Sequence, residues 1–508
     1  MKKIIINDNP WQIRIAIITD GKLQNIYFSA PTHEVLERAY FKGSVTKVLP
    51  GIQTAFIEFG QQKAGFLHIS EIDRELAMQK LSRQLEDDED DEDEPKIEKK
   101  VTQKRDISKI LKENEPILVQ VSKEPVYEKG AKLTTCFTLP GRFIVLMPNI
   151  PRIGVSKKIE DRDERIRLKT IIREHLPEGM GAIIRTTSDG RAEKDLILDL
   201  QYLVQEWHII EKKFATAKVG EKIHQDLPLV LQIVRDQLDS DVEAIITDSK
   251  QSQNELYKFA KQIAPEFAHV IQSYDDTINI FAVYGIEKQI EQALKKKVSL
   301  KSGGSIIIES TEAMTVIDVN TGRFIGKTNL EDTIFKTNLE AAEEIVQQLK
   351  LRNIGGLIVI DFIDMAIAAN RQKVFIFFEK ILKERDKFQS VVLKISEFGL
   401  VQMTRKRSGK TLVQQLTNDC PTCHGSGFIK SYQTESYAIL RAIRDEVSTL
   451  AMGKKIEIHV NPHLFHYITS IEYNAILTLE NNYNIKITLI SNKELSVDKY
   501  KIEKKPLL

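Results

Sequence analysis

Apolar and polar positions alternate with a period of two from the start of the chain. In "WQIRIAIITDGKLQNIYFS" (11–29) two such runs flank Asp20-Gly21, a dipeptide that predicts a hairpin when strand-forming text lies on both sides. Short alternating runs with glycine-containing turns continue through "AYFKGSVTKVLPGIQTAFIEFGQQKAGFLHISEI" (39–72), the rhythm of a small barrel. Strand-like text resumes at "PILVQVSK" (116–123), after nine consecutive acids at 86–94 and a lysine-rich stretch. Self-repulsion and the lack of apolar side chains predict a solvated, disordered insertion that interrupts one domain rather than separating two.

Farther along, the period changes. Residues 136–228 mix strands ("RFIVLMP", "GAIIRTT") with the helical "KDLILDLQYLVQEWHIIEKKFATA", which predicts an α+β unit. Between 229 and 300 the helical "LVLQIVRDQL" alternates with "EAIITD" and "INIFAVYG", a compact α/β pattern. In 303–400, "AMTVIDVNTGRF" reads as a strand, "NLEAAEEIVQQLKLRNIGG" as a helix and "LIVIDFI" as a second strand. The helix carries its apolar stripe on Ala341, Ala342, Ile345, Val346 and Leu349, with Gly355-Gly356 as a stop signal. If the two strands are parallel in one sheet, a right-handed crossover brings their carboxyl ends to one edge, where α/β proteins place ligands.

Length and charge refine this picture. The chain has 508 residues, enough for about three to five packed units at roughly 100–200 residues each. Lys+Arg of 73 nearly cancel Asp+Glu of 72, so the total charge does not select a partner. Three cysteines, Cys136, Cys420 and Cys423, are too few for a disulfide framework and indicate a reducing compartment. At the start, Asn7, Asp8, Asn9 and Pro10 interrupt the apolar run before a signal-peptide core forms. No run approaches the roughly 20 apolar residues of a membrane span, and the expectation is a cytosolic protein.

The candidate chemistry gathers in "TVIDVN" and "GGLIVIDFIDM". On the first strand Asp318 and Asn320 share a face at the carboxyl end, and Asp361 ends the second strand. Desolvating a carboxylate is costly without a partner. Two convergent acids suit Mg²⁺, a hard cation that takes one or two carboxylates plus phosphate oxygens, with Asn320 placed to hydrogen-bond a scissile phosphate. Asp364 is offset by three from Asp361 and is expected on the other face. The alternative is that the acids cap loops or pair with Arg323 or Arg352.

Two other stretches stand out. Alternation turns Phe56 and Phe66 outward on the barrel near Lys42, Lys47, Lys63 and Lys129, a stacking platform beside positive charge of the kind single-stranded nucleic acid uses; ordinary rim aromatics are the alternative. "DCPTCHGSG" (419–427) holds Cys420 and Cys423 at the C-x-x-C spacing of a zinc knuckle. Tetrahedral zinc takes four ligands, so the simplest completion is a second copy of the same pair from another chain, giving a zinc-linked homodimer. A redox pair and one repeat of a chaperone zinc module are the rival readings. The basic "TRKRSGK" (404–410) just upstream suits phosphate contacts or a solvated linker.

Taken together, "GFLHISEI", "LTTCFTLPGRFIVLMPN", "LPEGMGAIIRTT", "LKSGGSI", "TVIDVNTGRF", "NLEAAEEI", "GGLIVIDFIDM", "ISEFGLVQMTRKR" and "CPTC" resemble, in order and over nearly the whole chain, the ribonuclease E/G family of bacterial endoribonucleases. The resemblance implies an α+β multidomain architecture: a split RNase H-like domain (1–34 and 229–294), an S1-type barrel of the OB-fold kind (35–135, insertion near 84–106), a 5′-sensor unit (136–228), a DNase I-like α/β catalytic domain (295–415), a zinc link (416–428) and a small C-terminal α/β domain (429–508). It implies Mg²⁺-dependent cutting of single-stranded RNA to 5′-phosphate and 3′-hydroxyl ends, in rRNA processing and mRNA decay. By motif, the metal role falls on Asp318 and Asp361, phosphate orientation on Asn320 and RNA contact on Phe56, Phe66, Lys123 and Lys129. A 5′-monophosphate pocket falls on Gly141, Val145, Arg185 and Thr186, where an Arg-Thr pair suits a terminal phosphate; without the resemblance "IIRTT" reads as a plain strand end. Members form zinc-linked dimers, and some pair into tetramers. Ending at residue 508, without a long scaffolding tail, the chain is similar to the shorter, ribonuclease G type. Val126 departs from the family's pattern, and near "KERDKFQ" (383–389) only Lys387 stands where a further sensor arginine is expected. The rival readings are a non-catalytic RNA-binding or ribosome-assembly factor and a zinc-dependent scaffold.

Overall fold

The computed structural model describes residues 1–30, 36–72, 106–125, 130–239, 241–322, 330–386, 388–396, 399–407, 409–448 and 454–506. The acidic run at 86–94 and Val126 lie outside them. Strands β1 (Lys2–Asn9), β2 (Gln12–Thr19) and β3 (Lys22–Ser29) form an antiparallel meander. Asp20 and Gly21 take φ of 49° and 76°, the positive values a hairpin turn matched to strand twist needs.

The barrel follows. Strands β4 (Tyr40–Leu49), β5 (Thr54–Glu58), β6 (Gly65–His68), β7 (Pro116–Lys123) and β8 (Lys132–Thr134) run in the order β4-β5-β6-β8-β7, and β7 pairs back onto β4. Closure removes the free edges of a small sheet. Val45, Ala55, Ile57, Leu67, Val119 and Leu133 fill the interior.

Next come β9 (Leu139–Pro140), β10 (Ile144–Met147), β11 (Ile153–Val155), α1 (Arg162–His175), β12 (Gly181–Ile184) and α2 (Glu193–Thr216). Their four strands, ordered β11-β12-β10-β9, bury Ile144, Leu146 and Ile184 against Leu168 and Ile172 of α1 and Leu196, Leu200 and Trp207 of α2. Strand β13 (Lys222–His224) then returns to the barrel beside β4.

Helix α3 (Leu229–Gln237), β14 (Val242–Thr247), α4 (Lys250–Ile263) and β15 (Ile271–Ser273) complete the first sheet. There β14 runs parallel to β1, giving the order β15-β14-β1-β2-β3, with Ile4, Ile15, Ile17, Val234 and Leu256 in its core. The expected strand at "INIFAVYG" is instead a short helix, α5 (Ile280–Val283), because the Asn279 side chain accepts from Phe281 N–H and caps a turn. Helix α6 (Ile286–Ala293) follows.

The site sheet comprises β16 (Lys297–Ser299), β17 (Ser305–Ser310), β18 (Met314–Asn320), β19 (Gly356–Asp361), β20 (Ser390–Val392) and β21 (Leu400–Arg405), ordered β16-β17-β18-β19-β21-β20. Helix α7 (Leu330–Leu351) lies between β18 and β19 in the chain, and α8 (Ala368–Arg385) follows β19. The two central strands are parallel, as the β–helix–β pattern predicts. Ile317, Ile358 and Ile360 pack on the predicted stripe of α7: Ala341, Ala342, Ile345, Val346 and Leu349. The left-handed residue that ends α7 is Asn353 (φ 50°), ahead of the predicted glycine pair. Asparagine tolerates that conformation better than most side chains.

The chain divides into two compact units, Met1–Gly409 and Lys410–Leu508. Within the second are α9 (Leu412–Leu416), α10 (Tyr432–Ser448), β22 (Lys454–Val460), α11 (Pro462–Ser470), α12 (Tyr473–Tyr483), β23 (Lys486–Ser491) and β24 (Tyr500–Pro506). Its sheet, ordered β23-β22-β24, buries Ile456, Ile458 and Val460 against Ile439, Ile443, Leu464 and Ile468. Among the described residues no helix is long and apolar enough to cross a membrane.

Candidate functional site

Along β18 the odd positions Ile317 and Val319 are buried, so Asp318 and Asn320 fall on the opposite face, both half-buried. Asp318 pairs in register with Asp361 on the parallel β19, which sets the two residues on strands roughly 4.8 Å apart. Asn320 Nδ2 donates to Asp318 Oδ2 at 2.6 Å. Desolvation and then the charges of Asp318 and Asp364 push the Asp361 carboxyl above its ordinary value. Asp364 therefore belongs to this electrostatic cluster, not to the far side: β19 ends at Asp361, and beyond a strand's end the alternation rule no longer applies. Arg352, the suggested ion-pair partner, is buried elsewhere with its Nε on Gln348 Oε1, and Arg323 lies outside the described residues.

The loop carrying these acids is pinned. Asn338, fully buried on α7, donates to Ile363 O (2.8 Å) and accepts from Ile363 N–H (3.1 Å). Glu331 accepts from the N–H groups of Ala366 and Ile367. Beside Asn320 opens a groove of ≈ 880 Å³ lined by Lys297, Lys301, Ser302, Gly303 and Gly322. A Cβ at Gly322 would fall 1.8 Å from Gly303 O, so only glycine allows the two turns to approach. Part of this wall lies on "LKSGGSI", to whose lysine and serine spacing alone assigns no role. Oxygen ligands in register, like charges raising one carboxyl and a basic groove alongside fit a hard divalent cation facing phosphate.

A second constellation lies on the four-stranded sheet. Arg185 Nη1 donates to Gly141 O (2.6 Å) and Asp236 Oδ1 (2.8 Å), while its Nε and Nη2 have no partner among the described residues. Thr186 is exposed, with its hydroxyl 3.0 Å from Ser156 Oγ. Val145 is half-buried and pairs with Ile183, two residues before Arg185. At Gly141 a Cβ would lie 2.5 Å from Asp199 Oδ2; that carboxylate accepts from the N–H groups of Arg142, Phe143 and Ile144. Four expected residues thus cluster, and Asp199 and Asp236, in helices with no local signal, are additions. Lys387 lies outside the described residues; its neighbour Asp386 accepts at its carbonyl from Lys158 Nζ (2.7 Å).

On the barrel, Phe56 and Phe66 are direct cross-strand partners, with Lys47 opposite Phe56 and Lys132 opposite Phe66. They are half-buried rather than exposed, since cross-strand neighbours cover part of each ring. Lys123 is exposed and in register with Lys132. Lys42 is not part of this face: its Nζ donates to Phe214 O (2.9 Å) and sits over the Phe214 ring. Lys129 lies outside the described residues.

In the second unit Cys420 and Cys423 are free thiols, one exposed and one half-buried. His424 (φ 48°) and Gly425 (φ 88°) turn the chain, and His424 N–H reaches Cys420 O at 2.8 Å. Backbone N–H groups of Cys423 and then Thr422 hold the Cys420 thiol below its usual value, which favours the thiolate that zinc takes. Two sulfur donors on a tight turn fit half of a tetrahedral site. Glu457, His459 and Glu503 also converge, but Lys455 (2.8 Å) and Lys501 (2.7 Å) already neutralise the two glutamates.

Comparison with known proteins accounts for both units. The sequence profile of the Ribonuclease E/G family matches residues 138–408, and that of the RNase E/G thioredoxin-like domain matches 419–505. Ribonuclease G of Escherichia coli (strain K12) is 39% identical over 443 residues, 87% of each chain. Ribonuclease G of Haemophilus influenzae is 38% identical, covering 94% of this chain and 93% of its own. Ribonuclease E of Escherichia coli (strain K12) is 33% identical over 99% of this chain but only 46% of its own length. With this coverage and the acids of both strands in register, the chain belongs to the ribonuclease E/G family.

Proposed function

We propose that the protein is an endoribonuclease that hydrolyses single-stranded RNA with Mg²⁺, leaving 5′-phosphate and 3′-hydroxyl ends. The observation that carries this reading is the register pair Asp318–Asp361, with Asn320 bonded to Asp318, on the edge of a basic groove. Asp318 and Asp361 hold the cation, whose chemistry when bound is to polarise a phosphodiester and make a neighbouring water more acidic. Asn320 presents its amide toward the phosphate, and Lys297 and Lys301 draw the strand along the groove. Phe56 and Phe66 stack bases, with Lys123 and Lys129 on the backbone. Arg185 and Thr186, beside Gly141 and Val145, grip a 5′-monophosphate.

In this reading the first sheet is a split RNase H-like domain, the closed barrel an S1 domain, and the sheet bearing Asp318 a DNase I-like domain. Cys420 and Cys423 share Zn²⁺ with the same pair of a second copy, giving a homodimer, with pairing of dimers into a homotetramer as a further step. The protein acts in the cytoplasm, on rRNA precursors and mRNA.

The test is cleavage of a 5′-monophosphorylated oligonucleotide by the purified protein with Mg²⁺. Cutting that stops with EDTA and leaves 3′-hydroxyl ends is expected; binding without cutting establishes the non-catalytic factor instead. For the shared zinc, the mass in solution should halve on chelation and in Cys420→Ser. A monomer carrying a full complement of zinc would refute sharing.

A further inference from the structure

We propose, resting on the reading of Arg185 as part of a 5′-phosphate pocket, that Asp236 is the positioning residue that aims the Arg185 guanidinium at the terminal phosphate. A guanidinium recognises phosphate best through two parallel N–H groups on one edge. Arg185 spends only Nη1 on the protein, on Asp236 Oδ1 at 2.8 Å and Gly141 O at 2.6 Å. Its Nε–Nη2 edge is left for a ligand. Without Asp236 this long side chain keeps a single fixed contact, the Gly141 carbonyl, and the edge is free to swing.

Asp236 is itself fixed. Its Oδ1 also accepts from Arg235 Nε at 3.1 Å, and Arg235, with only 5% of its side chain exposed, is anchored by Pro140 O (2.8 Å) and Asp226 Oδ1 (3.1 Å). Asp226 also holds Arg38 at 3.3 Å. In the resulting chain, Arg185–Asp236–Arg235–Asp226–Arg38, the middle pair Arg235–Asp226 is buried while Arg185 and Arg38 at its two ends reach solvent. Its anchor comes from a different layer: Asp236 lies on α3, whose Val230, Ile233 and Val234 pack into the core of the first sheet. Arg185 follows β12 of the four-stranded sheet. Aim of the sensor therefore depends on how α3 is seated.

The experiment compares steady-state cleavage, by the full chain with Mg²⁺, of one oligonucleotide carrying either a 5′-monophosphate or a 5′-hydroxyl. Asp236→Ala should raise KM for the monophosphorylated form by roughly tenfold, as loss of an outer partner does elsewhere, so that the two KM values converge while kcat holds. Asp236→Asn, which keeps an acceptor for Nη1, should fall between wild type and Asp236→Ala; any other order overturns the proposal. Arg185→Ala/Asp236→Ala should discriminate no worse than Arg185→Ala. Equal losses on both oligonucleotides would mark Asp236 as merely structural and overturn it, as would full discrimination in Asp236→Ala when Arg185→Ala has lost it. If the wild type does not distinguish the two oligonucleotides, or Arg185→Ala distinguishes them as well as the wild type does, the pocket reading itself is wrong and this inference falls with it.

Discussion

Asp361 and Asp236 are acids in two neighbouring sheets' surroundings with opposite company. Asp361 faces Asp318 and Asp364, and desolvation and those like charges push its carboxyl up. Asp236 is also desolvated, which alone would raise it, yet hydrogen bonds and charge from Arg185 and Arg235 outweigh burial and hold it below the usual range. One carboxylate is satisfied by cations of its own protein; the other faces only like charges and, in the proposed reading, takes a cation from outside. Side-chain type does not tell the two acids apart, but the sign of their neighbours does.

The contrast breaks most plainly at the cation side. Asp318→Asn should lower Mg²⁺-dependent cutting by at least about a hundredfold while RNA binding persists, read by cleavage gels and filter binding. Undiminished cutting would show that the uncompensated pair serves no metal. A smaller effect is expected from the support beneath it: Asn338→Ala removes both hydrogen bonds to the Ile363 peptide and should cost about 1–3 kcal/mol in denaturant unfolding. Unchanged stability would mean the loop is held without Asn338.

The smallest effects have opposite signs and sharpen the comparison most. In EDTA at pH 7, Asp361→Asn should raise Tm, since a carboxyl with a raised folded pKa is a liability once ionised. Asp236→Asn should lower it, because a depressed folded pKa means that ionisation favours the folded state. Both differences fade as pH falls below the ordinary carboxylate range near about 4: Asp361 is then protonated folded or unfolded, and Asp236 loses its charge as pH passes through its lowered value. Shifts of the same sign at pH 7 would refute the contrast.

Much of this is legible in the amino-acid sequence alone. Alternation gave the hairpin at Asp20-Gly21, the inward Ala55, Ile57 and Leu67 of the barrel, and the shared face of Asp318 and Asn320, because a strand's faces are fixed by parity. The crossover through α7 followed from a stripe of apolar residues at helical spacing. The limits are equally physical. Parallel pairing of β14 with β1 joins distant segments and leaves no local mark. Asp364 was misplaced because parity ends where the strand ends. Asn279 and Asn353 set element boundaries through a cap and a left-handed turn, which periodicity does not report. Asp236 and Asp199 read as ordinary polar helix positions, and only the folded chain brings them to Arg185 and Gly141.

The in-register pair on β18 and β19 makes this enzyme unusually sensitive to insertions and deletions. Because successive strand residues face opposite ways, losing or gaining one residue between Gly356 and Asp361 would turn the second acid toward the apolar interior and put Ile360 or Phe362 in its place. Length changes should therefore collect in tracts such as the acids at 86–94, while the distance from Asn353 to Asp361 stays constant among active relatives.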